Sequence, residues 1–371
     1  MNFNKLWLVP ALLHLLGSVA IAEPGSLTPA EQLGKKLFFE TRLSNPVGQA
    51  CASCHAPQAA FSDPRKQLPV SAGAAKGMFT SRNAPSIMYL AMAPALHIDA
   101  NEGIYKGGLF YDGRANTLEQ QVAGPSFGHN EMAIKDKAEL VNKLRQLGYL
   151  PEFKKRYGDK ALATTRLGYQ QVTELIAAYE RSTELNPFTS KYDYYLLGKA
   201  RLTKQQRRGL NIFDDEKKGR CSGCHSIDPQ DDGTRPLFTD FSYDNLGVPK
   251  NRDNPFLQLS GKLNPQGRFF IDTGLGKTLA NKTEAGKFRV PSLRNVALTA
   301  PYMHNGVFRT LKEVVRFYNS RDIEHKWPGP EVAANVNKQE LGDLKLSEQE
   351  MDDLIAFMKT LTDGYRLLGR R

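Results

Sequence analysis

All four cysteines of this 371-residue chain stand in two identical patterns, Cys51-Ala52-Ser53-Cys54-His55 and Cys221-Ser222-Gly223-Cys224-His225. This repetition constrains the fold more than any other feature. Two thiols separated by two residues reach the two vinyl groups of one porphyrin, and the next residue places an imidazole beneath the iron. Three other chemistries compete. A thioredoxin-like redox pair belongs in a βαβ context, which this sequence lacks. One four-cysteine zinc site would have to join pairs from opposite halves of the chain, and it leaves the histidine after each pair unexplained. Simple disulfides leave both histidines unexplained as well. Two covalently bound c-type haems account for every cysteine and both histidines.

The N-terminus fits an exported haem protein. Met1 to Lys5 is short and positive, Leu6 to Ile21 is apolar, and Ala20-Ile21-Ala22 supplies a small-x-small cleavage pattern. Residues 1–22 therefore read as a secretory signal peptide, and the mature chain is expected in the periplasm. A membrane anchor is the competing reading, but the stretch is short and is broken by Pro10 and His14. No later apolar run approaches the ~18 residues that a membrane span needs. Once the signal peptide is removed, Trp327 is the one remaining tryptophan. The formal charge is +11, which suggests an anionic partner. The basic residues are scattered, however, and no nucleic-acid-binding motif accompanies them, so nucleic acid falls away as a partner. Haem propionates offset part of the charge, and the rest suits an acidic redox protein.

The haem motifs belong to a duplication. Leu27-Thr28-Pro29-Ala30-Glu31-Gln32-Leu33-Gly34-Lys35-Lys36-Leu37-Phe38 precedes the first, and Leu202-Thr203-Lys204-Gln205-Gln206-Arg207-Arg208-Gly209-Leu210-Asn211-Ile212-Phe213 precedes the second. Each begins with a Thr N-cap, carries Glu or Gln three residues later, and then shows Gly and an apolar pair at matching positions. Ser347 with Glu350 is a further capping box, followed by Met351, Leu354, Ile355 and Met358 at helical spacing, which makes those methionines core residues rather than iron ligands. Long Gly/Pro-rich stretches run from Lys66 to Pro94 and from Pro229 to Lys282. The expected fold is mainly α, with two cytochrome c-like haem domains, residues 23–185 and 186–371, and long connecting loops.

Further motifs carry a resemblance. They are Arg82-Asn83-Ala84-Pro85, Asp99-Ala100-Asn101, Tyr105-Lys106-Gly107-Gly108, Asp112-Gly113-Arg114-Ala115, Gln120-Gln121 and Ser190-Lys191-Tyr192-Asp193. To these are added Val290-Pro291-Ser292-Leu293-Arg294-Asn295-Val296-Ala297, Pro301-Tyr302-Met303-His304-Asn305-Gly306 and Phe317-Tyr318-Asn319. Over nearly the whole mature chain this order resembles the bacterial dihaem cytochrome c peroxidase superfamily and, within it, the MauG-type branch.

The resemblance implies roles for particular residues. His55 becomes the proximal ligand of a peroxide-reactive haem, and His225 holds a six-coordinate one. Tyr318 matches the position where the MauG type places a tyrosine on the second iron and ordinary dihaem peroxidases place a methionine. A phenolate is a hard anionic donor that suits higher iron oxidation states. Gln121 and Glu131 match a distal amide and a distal glutamate, the latter able to pass a proton between the two peroxide oxygens, and Pro125 matches a proline of the same pocket. Asn83, Thr299 and Pro301 match a Ca2+ site between the haem domains, where an amide oxygen, carbonyls and waters suit a hard cation.

Two departures accompany these matches. The MauG type can carry a tryptophan just before the second haem motif, whereas here no aromatic lies between Phe213 and Cys221. A second tryptophan position holds Tyr111. His129 lies beside the distal segment and reads as an exposed loop residue, His97 and His304 as structural, and His325 as exposed. By resemblance the activity is peroxide-driven oxidation of tryptophan residues in a precursor protein, pre-methylamine dehydrogenase, on the way to tryptophan tryptophylquinone. The rival is a peroxidase that reduces hydrogen peroxide with electrons from a small cytochrome c or cupredoxin. A non-enzymatic dihaem electron carrier is a third reading, and the distal pair argues against it.

Overall fold

A computed structural model describes residues 26–367. The expected signal peptide lies outside the described residues. Helix accounts for 38% of the described residues. Strand is confined, among the described residues, to two two-residue antiparallel ladders, His97–Ile98 with Tyr105–Lys106 and Tyr243–Asp244 with Phe288–Arg289. The fold is thus helical in its regular parts and otherwise loop.

Each half is organised by one crossed pair of helices. Pro29–Phe38 packs on Thr165–Glu180, and Lys204–Asp214 packs on Glu348–Met358. The expected capping boxes form at Thr28–Glu31, Thr203–Gln206 and Ser347–Glu350. Satisfying the first-turn N–H groups in this way fixes where each helix starts, and therefore which face it buries.

The duplicated glycines explain how closely the helices cross. A Cβ on Gly34 would lie 1.9 Å from the Leu175 carbonyl oxygen, and one on Gly209 would lie 1.9 Å from that of Asp353. One turn further along each helix, Phe38 meets Tyr179 with ring centres 5.3 Å apart, and Phe213 meets Phe357 at 5.2 Å, both edge to face. All four rings are fully or almost fully buried. The sequence repeat is therefore a repeated contact: glycine admits the partner backbone, and an aromatic pair locks the crossing.

Two cores follow. The first gathers Leu33, Leu37, Phe38, Val141, Leu144, Phe153 and Tyr179 with their neighbours, and Cys51 packs against it. The second gathers Tyr192, Phe213, Phe238, Leu354, Phe357 and Leu361, and Cys221 packs against it. The two cysteine pairs thus belong to separate cores, which removes a shared four-cysteine zinc site.

Ionic contacts tie motifs that are remote in sequence. Ser190 caps the Lys191–Leu196 helix while Asp193 closes the capping box. The Asp193 carboxylate then receives both Nη atoms of Arg294, at 3.0 and 2.9 Å, with both side chains essentially fully buried. Arg82 spans Asp272, through Nε and Nη2 at 2.6 and 2.8 Å, and Asp112, through Nη1 at 2.7 Å. The fork geometry of arginine suits such buried, two-point pairing.

Candidate haem sites

The two haem motifs adopt the same local geometry. Cys51–Cys54 is a single helical turn and Cys221–Gly223 a 3-10 turn. In each, the histidine N–H donates back to the first cysteine carbonyl, at 2.9 Å for His55 and 2.8 Å for His225. His55 Nδ1 lies 3.0 Å from the Phe61 carbonyl oxygen, and His225 Nδ1 lies 3.0 Å from that of Phe238. A carbonyl can only accept, so Nδ1 carries the proton in both rings and Nε2 is left with its lone pair, the arrangement a metal-ligating imidazole needs. Phe61 and Phe238 both have left-handed backbone, φ 53° and 55°.

The duplication extends further than the helices. Ser86 Oγ donates to the Ala60 carbonyl and Ser292 Oγ to the Leu237 carbonyl, each at 2.6 Å. Each serine follows a proline, Pro85 or Pro291, whose main chain acts on the imidazole of its own half. Three residues on, Tyr89 and Asn295 are both left-handed. The serines thus brace the residue before each histidine-holding carbonyl, and the next backbone N–H, of Ile87 or Leu293, donates to that carbonyl itself at 3.2 Å.

Burial lowers the proton affinity of His55 and His225, only partly offset by those backbone groups. Both imidazoles are thereby kept neutral, as metal ligation requires. Burial also pushes the thiols of Cys51, Cys221 and Cys224 up to about 12 and raises Cys54. Reactive dithiols are depressed, not raised, so this environment suits sulfur held as thioether rather than a redox pair.

Tyr318 is placed by its helix. Leu311–Ser320 starts at a Thr310–Glu313 capping box. Leu311, Val314, Val315 and Tyr318 recur at helical spacing on one face, and all four line a cavity of about 230 Å³ that also contains Cys221, Cys224 and His225. Phe213, Leu354 and Met358 complete its apolar wall. Burial raises the Tyr318 phenol far above the ordinary tyrosine range, and the sulfurs of Cys221 and Cys224 and the Asp244 carboxylate add to this. A phenolate at this position therefore requires a nearby cation.

The segment from 118 to 131 carries the other expected residues. Gln121 ends the short helix Leu118–Gln121 and is partly buried, and Pro125 lies on the following turn, Ala123–Phe127. The Glu131 side chain turns back onto this segment. A Cβ on Gly128 would lie 2.5 Å from its Oε2, so a larger residue there would push the carboxyl aside. Burial raises Glu131 above the usual carboxylate range, with Arg114 opposing, and the same carboxyl acts on Cys54 of the first motif. Among the described residues no hydrogen bond joins the Gln121 amide to Glu131.

Asn83, Thr299 and Pro301 border the Tyr318 cavity together. The Asn83 amide nitrogen donates to the Pro301 carbonyl at 2.6 Å, and its backbone N–H donates to His304 O at 2.7 Å. Tyr111 borders the same cavity, and burial pushes its phenol up to about 12. His129 and His325 are exposed as expected. His97 differs from expectation: it is exposed, in a two-residue strand, with Nδ1 2.9 Å from the Ala95 carbonyl. His304 is buried and stacks on Phe288 at 3.7 Å, with Nε2 unpartnered among the described residues. Sequence reasoning did not single out Arg289, which is 4% exposed and leaves Nη1 without a partner among the described residues. The unpartnered buried donors on a cavity wall, the neutral paired imidazoles and the buried thiols fit an anionic, covalently held haem.

Comparison with known proteins agrees with this geometry. A di-haem cytochrome c peroxidase family model matches residues 28–201, and a cytochrome c model matches residues 206–362. The methylamine utilization protein MauG of Paracoccus denitrificans is 38% identical over 349 residues, covering 89% of this chain and 88% of that protein. The cytochrome-c peroxidase IdrP1 of a Pseudomonas strain is 32% identical, covering 91% and 81%. The crystal structure of the diheme peroxidase BthA from Burkholderia thailandensis superposes with a TM-score of 0.80 at 34% identity, covering 92% of this chain and 88% of that one. With a proximal imidazole and a cysteine pair in each half, the chain belongs to the di-haem cytochrome c peroxidase family and is a peroxidase-type oxidoreductase with two c-type haems.

Proposed function

We propose that this chain is a MauG-like periplasmic enzyme that uses peroxide-level oxidising equivalents to oxidise tryptophan side chains of a precursor protein, a pre-methylamine dehydrogenase. The observation that carries the reading is the Tyr318 phenol on the wall of the cavity that holds His225, Cys221 and Cys224. When bound, the two haems supply an iron open to peroxide in the first half and an electron-exchanging iron in the second. His55 and His225 are the proximal ligands, each oriented by its Nδ1–H bond. With a haem held at His225, Tyr318 would be the residue to supply a hard anionic donor to its iron, and the positive charge of the iron would offset the cost of ionising a buried phenol.

Glu131 moves the proton. With a haem held at His55, the Glu131 carboxyl would be placed to take a proton from one peroxide oxygen and return it to the other, and the haem would supply the two electrons that O–O cleavage to water consumes. Gln121 orients the peroxide from the same distal segment. Tyr111 stands where the MauG type can hold a tryptophan, and it passes oxidising equivalents at the cost of a proton. Asn83, with carbonyl oxygens of Thr299 and Pro301, is assigned to Ca2+. The Asn83 amide needs only to exchange its O and N positions for oxygens to converge. The donors of such a site would be amide, carbonyl and water oxygens, which suit a hard cation.

The test is peroxide-dependent modification of precursor tryptophans, measured beside peroxide-dependent oxidation of reduced cytochrome c. Precursor oxidation is expected in the wild type, and Tyr318→His should abolish it while peroxide still reacts at the first haem. Wild-type precursor turnover in that variant would remove the role of Tyr318. A second reading, a peroxidase fed by a small cytochrome c or cupredoxin, draws support from the aromatic-free stretch between Phe213 and Cys221. It predicts rapid cytochrome oxidation and an untouched precursor.

A further inference from the structure

Arg289 holds a buried charge that the described residues do not neutralise. Its backbone N–H donates to Tyr111 O at 2.8 Å, Nε donates to Phe110 O at 3.0 Å, and the guanidinium lies 5.6 Å from the Phe241 ring centre. Nη1 has no hydrogen-bond partner among the described residues. Two other buried arginines face carboxylates: Arg294 pairs with Asp193, and Arg82 pairs with Asp272, while its Nη1, also without an aligned hydrogen bond, lies 2.7 Å from Asp112 Oδ2. The groups acting on Arg289 are the phenols of Tyr243 and Tyr111, not a carboxylate.

The acids on the cavity wall are already engaged. Asp272 is held by Arg82. Asp244 and Glu340 each accept from Asn337 Nδ2 at 2.6 Å. Glu331 Oε1 accepts from the Asp272 backbone N–H at 3.4 Å. A buried cation without a counter-anion is costly, several kcal/mol per ion even after relaxation. The same cavity contains Cys221, Cys224 and His225, and a c-type haem attached there brings two propionates of its own.

We propose that Arg289 receives a propionate of the haem attached at Cys221 and Cys224, with the Tyr111 phenol beside the pair. The haem carboxylate completes the hydrogen bonding of Nη1, and the guanidinium offsets negative charge at the haem edge. A positive charge held there favours the reduced iron, so Arg289 tunes the potential of the second haem next to the tyrosine that stands between the halves. This rests on haem attachment and not on the choice of protein substrate.

The test uses the fully haem-loaded protein. In Arg289→Gln the second haem should become harder to reduce, with the ferrous-to-ferric ratio at fixed potential falling at least tenfold, equivalent to 59 mV for one electron. Its propionate bending band in resonance Raman spectra should move as well. In Arg289→Lys, which keeps the charge but loses the fork, the ratio should change less than threefold while the band still moves. A loaded Arg289→Gln with unmoved midpoint and band overturns the proposal, since a merely structural arginine would alter neither. If Arg289→Gln fails to load haem, Arg289→Lys decides: an unmoved propionate band overturns the proposal, and a moved one supports it.

Discussion

Replacing Gly209 by alanine tests the helix crossing that frames the second haem. The added Cβ would sit 1.9 Å from the Asp353 carbonyl oxygen, 2.6 Å from its carbonyl carbon and 2.9 Å from Phe357 Cβ. Two of these neighbours are backbone of the Glu348–Met358 helix, so no rotamer change relieves them. The helices must separate by roughly 1.5 Å, and a gap of even 0.5–1 Å forfeits a quarter to a half of each dispersion contact across it. The contacts at stake include Phe213 against Phe357, both fully buried. Overpacking of this kind costs about 3 kcal/mol, the upper end of the usual range. The alanine recovers about 1 kcal/mol of helix propensity. The net expectation is a loss of about 2 kcal/mol, or roughly 4–8 °C in Tm for a domain of this size. Thermal unfolding followed by circular dichroism and by the haem absorption band measures it. A Gly209→Ala protein as stable as the wild type, or more so, would show that the helices are not held at the crossing distance argued here.

Glu131→Gln should slow the reaction with peroxide by about 10²–10⁴-fold, the usual worth of a positioned acid–base group, while both haems remain attached. Rapid mixing with peroxide checks this, and an unchanged rate would move the proton transfer to another group. Glu180 is raised to about 8 by burial, so between pH 4.5 and 8 the folded state holds a proton that the unfolded state has released. Stability should therefore fall as pH rises through that window, by an amount on the order of a few kcal/mol, and Glu180→Gln should flatten the decline; equal pH slopes in denaturant titrations would contradict this. Stripping Ca2+ with a chelator should lower peroxide reactivity without releasing haem, and Asn83→Ala should behave as the stripped protein does. A chelator-insensitive wild type would leave Asn83 as a hydrogen-bonding link to Pro301 and His304.

The haem attachment residues were legible because covalent chemistry fixes them at set spacing, and the duplicated helices because caps, glycine and aromatic recur in register. The second layer of the duplication was not. The acceptors for His55 and His225 are backbone carbonyls of Phe61 and Phe238, and a carbonyl leaves no trace in residue identity. The paired Pro85-Ser86 and Pro291-Ser292 segments could have been found by aligning the two halves, since the serines make matching 2.6 Å bonds. Arg289 was missed for a different reason. A buried arginine has the same letter as an exposed one, and only in the fold does Arg289, unlike Arg82 and Arg294, lack a carboxylate partner among the described residues. His97 was misread because a histidine beside apolar residues resembles a core position, whereas its two-residue strand is exposed.

Unequal chemistry on a nearly symmetrical scaffold requires that the differences lie off the duplicated parts. The crossed helices, the cysteine turns and the histidine-holding carbonyls match closely between halves, so they cannot by themselves make one iron differ from the other. The differences come from single additions. The first half adds Glu131, folded back over Gly128 and raised by burial. The second adds Tyr318, projected by a helix that follows the His304 motif. A buried carboxyl with raised proton affinity suits the proton movement proposed for the first haem, and a buried phenol suits the ligand role proposed at the second. If Tyr318 fills the second iron, peroxide has access to the first alone. Tyr111, Arg289 and Asn83 line one cavity with His225, the region through which electron exchange between the halves is proposed to run. Substitutions there should alter communication between the haems while leaving each attachment site intact, whereas substitutions at Gly34 or Gly209 should weaken one half at a time.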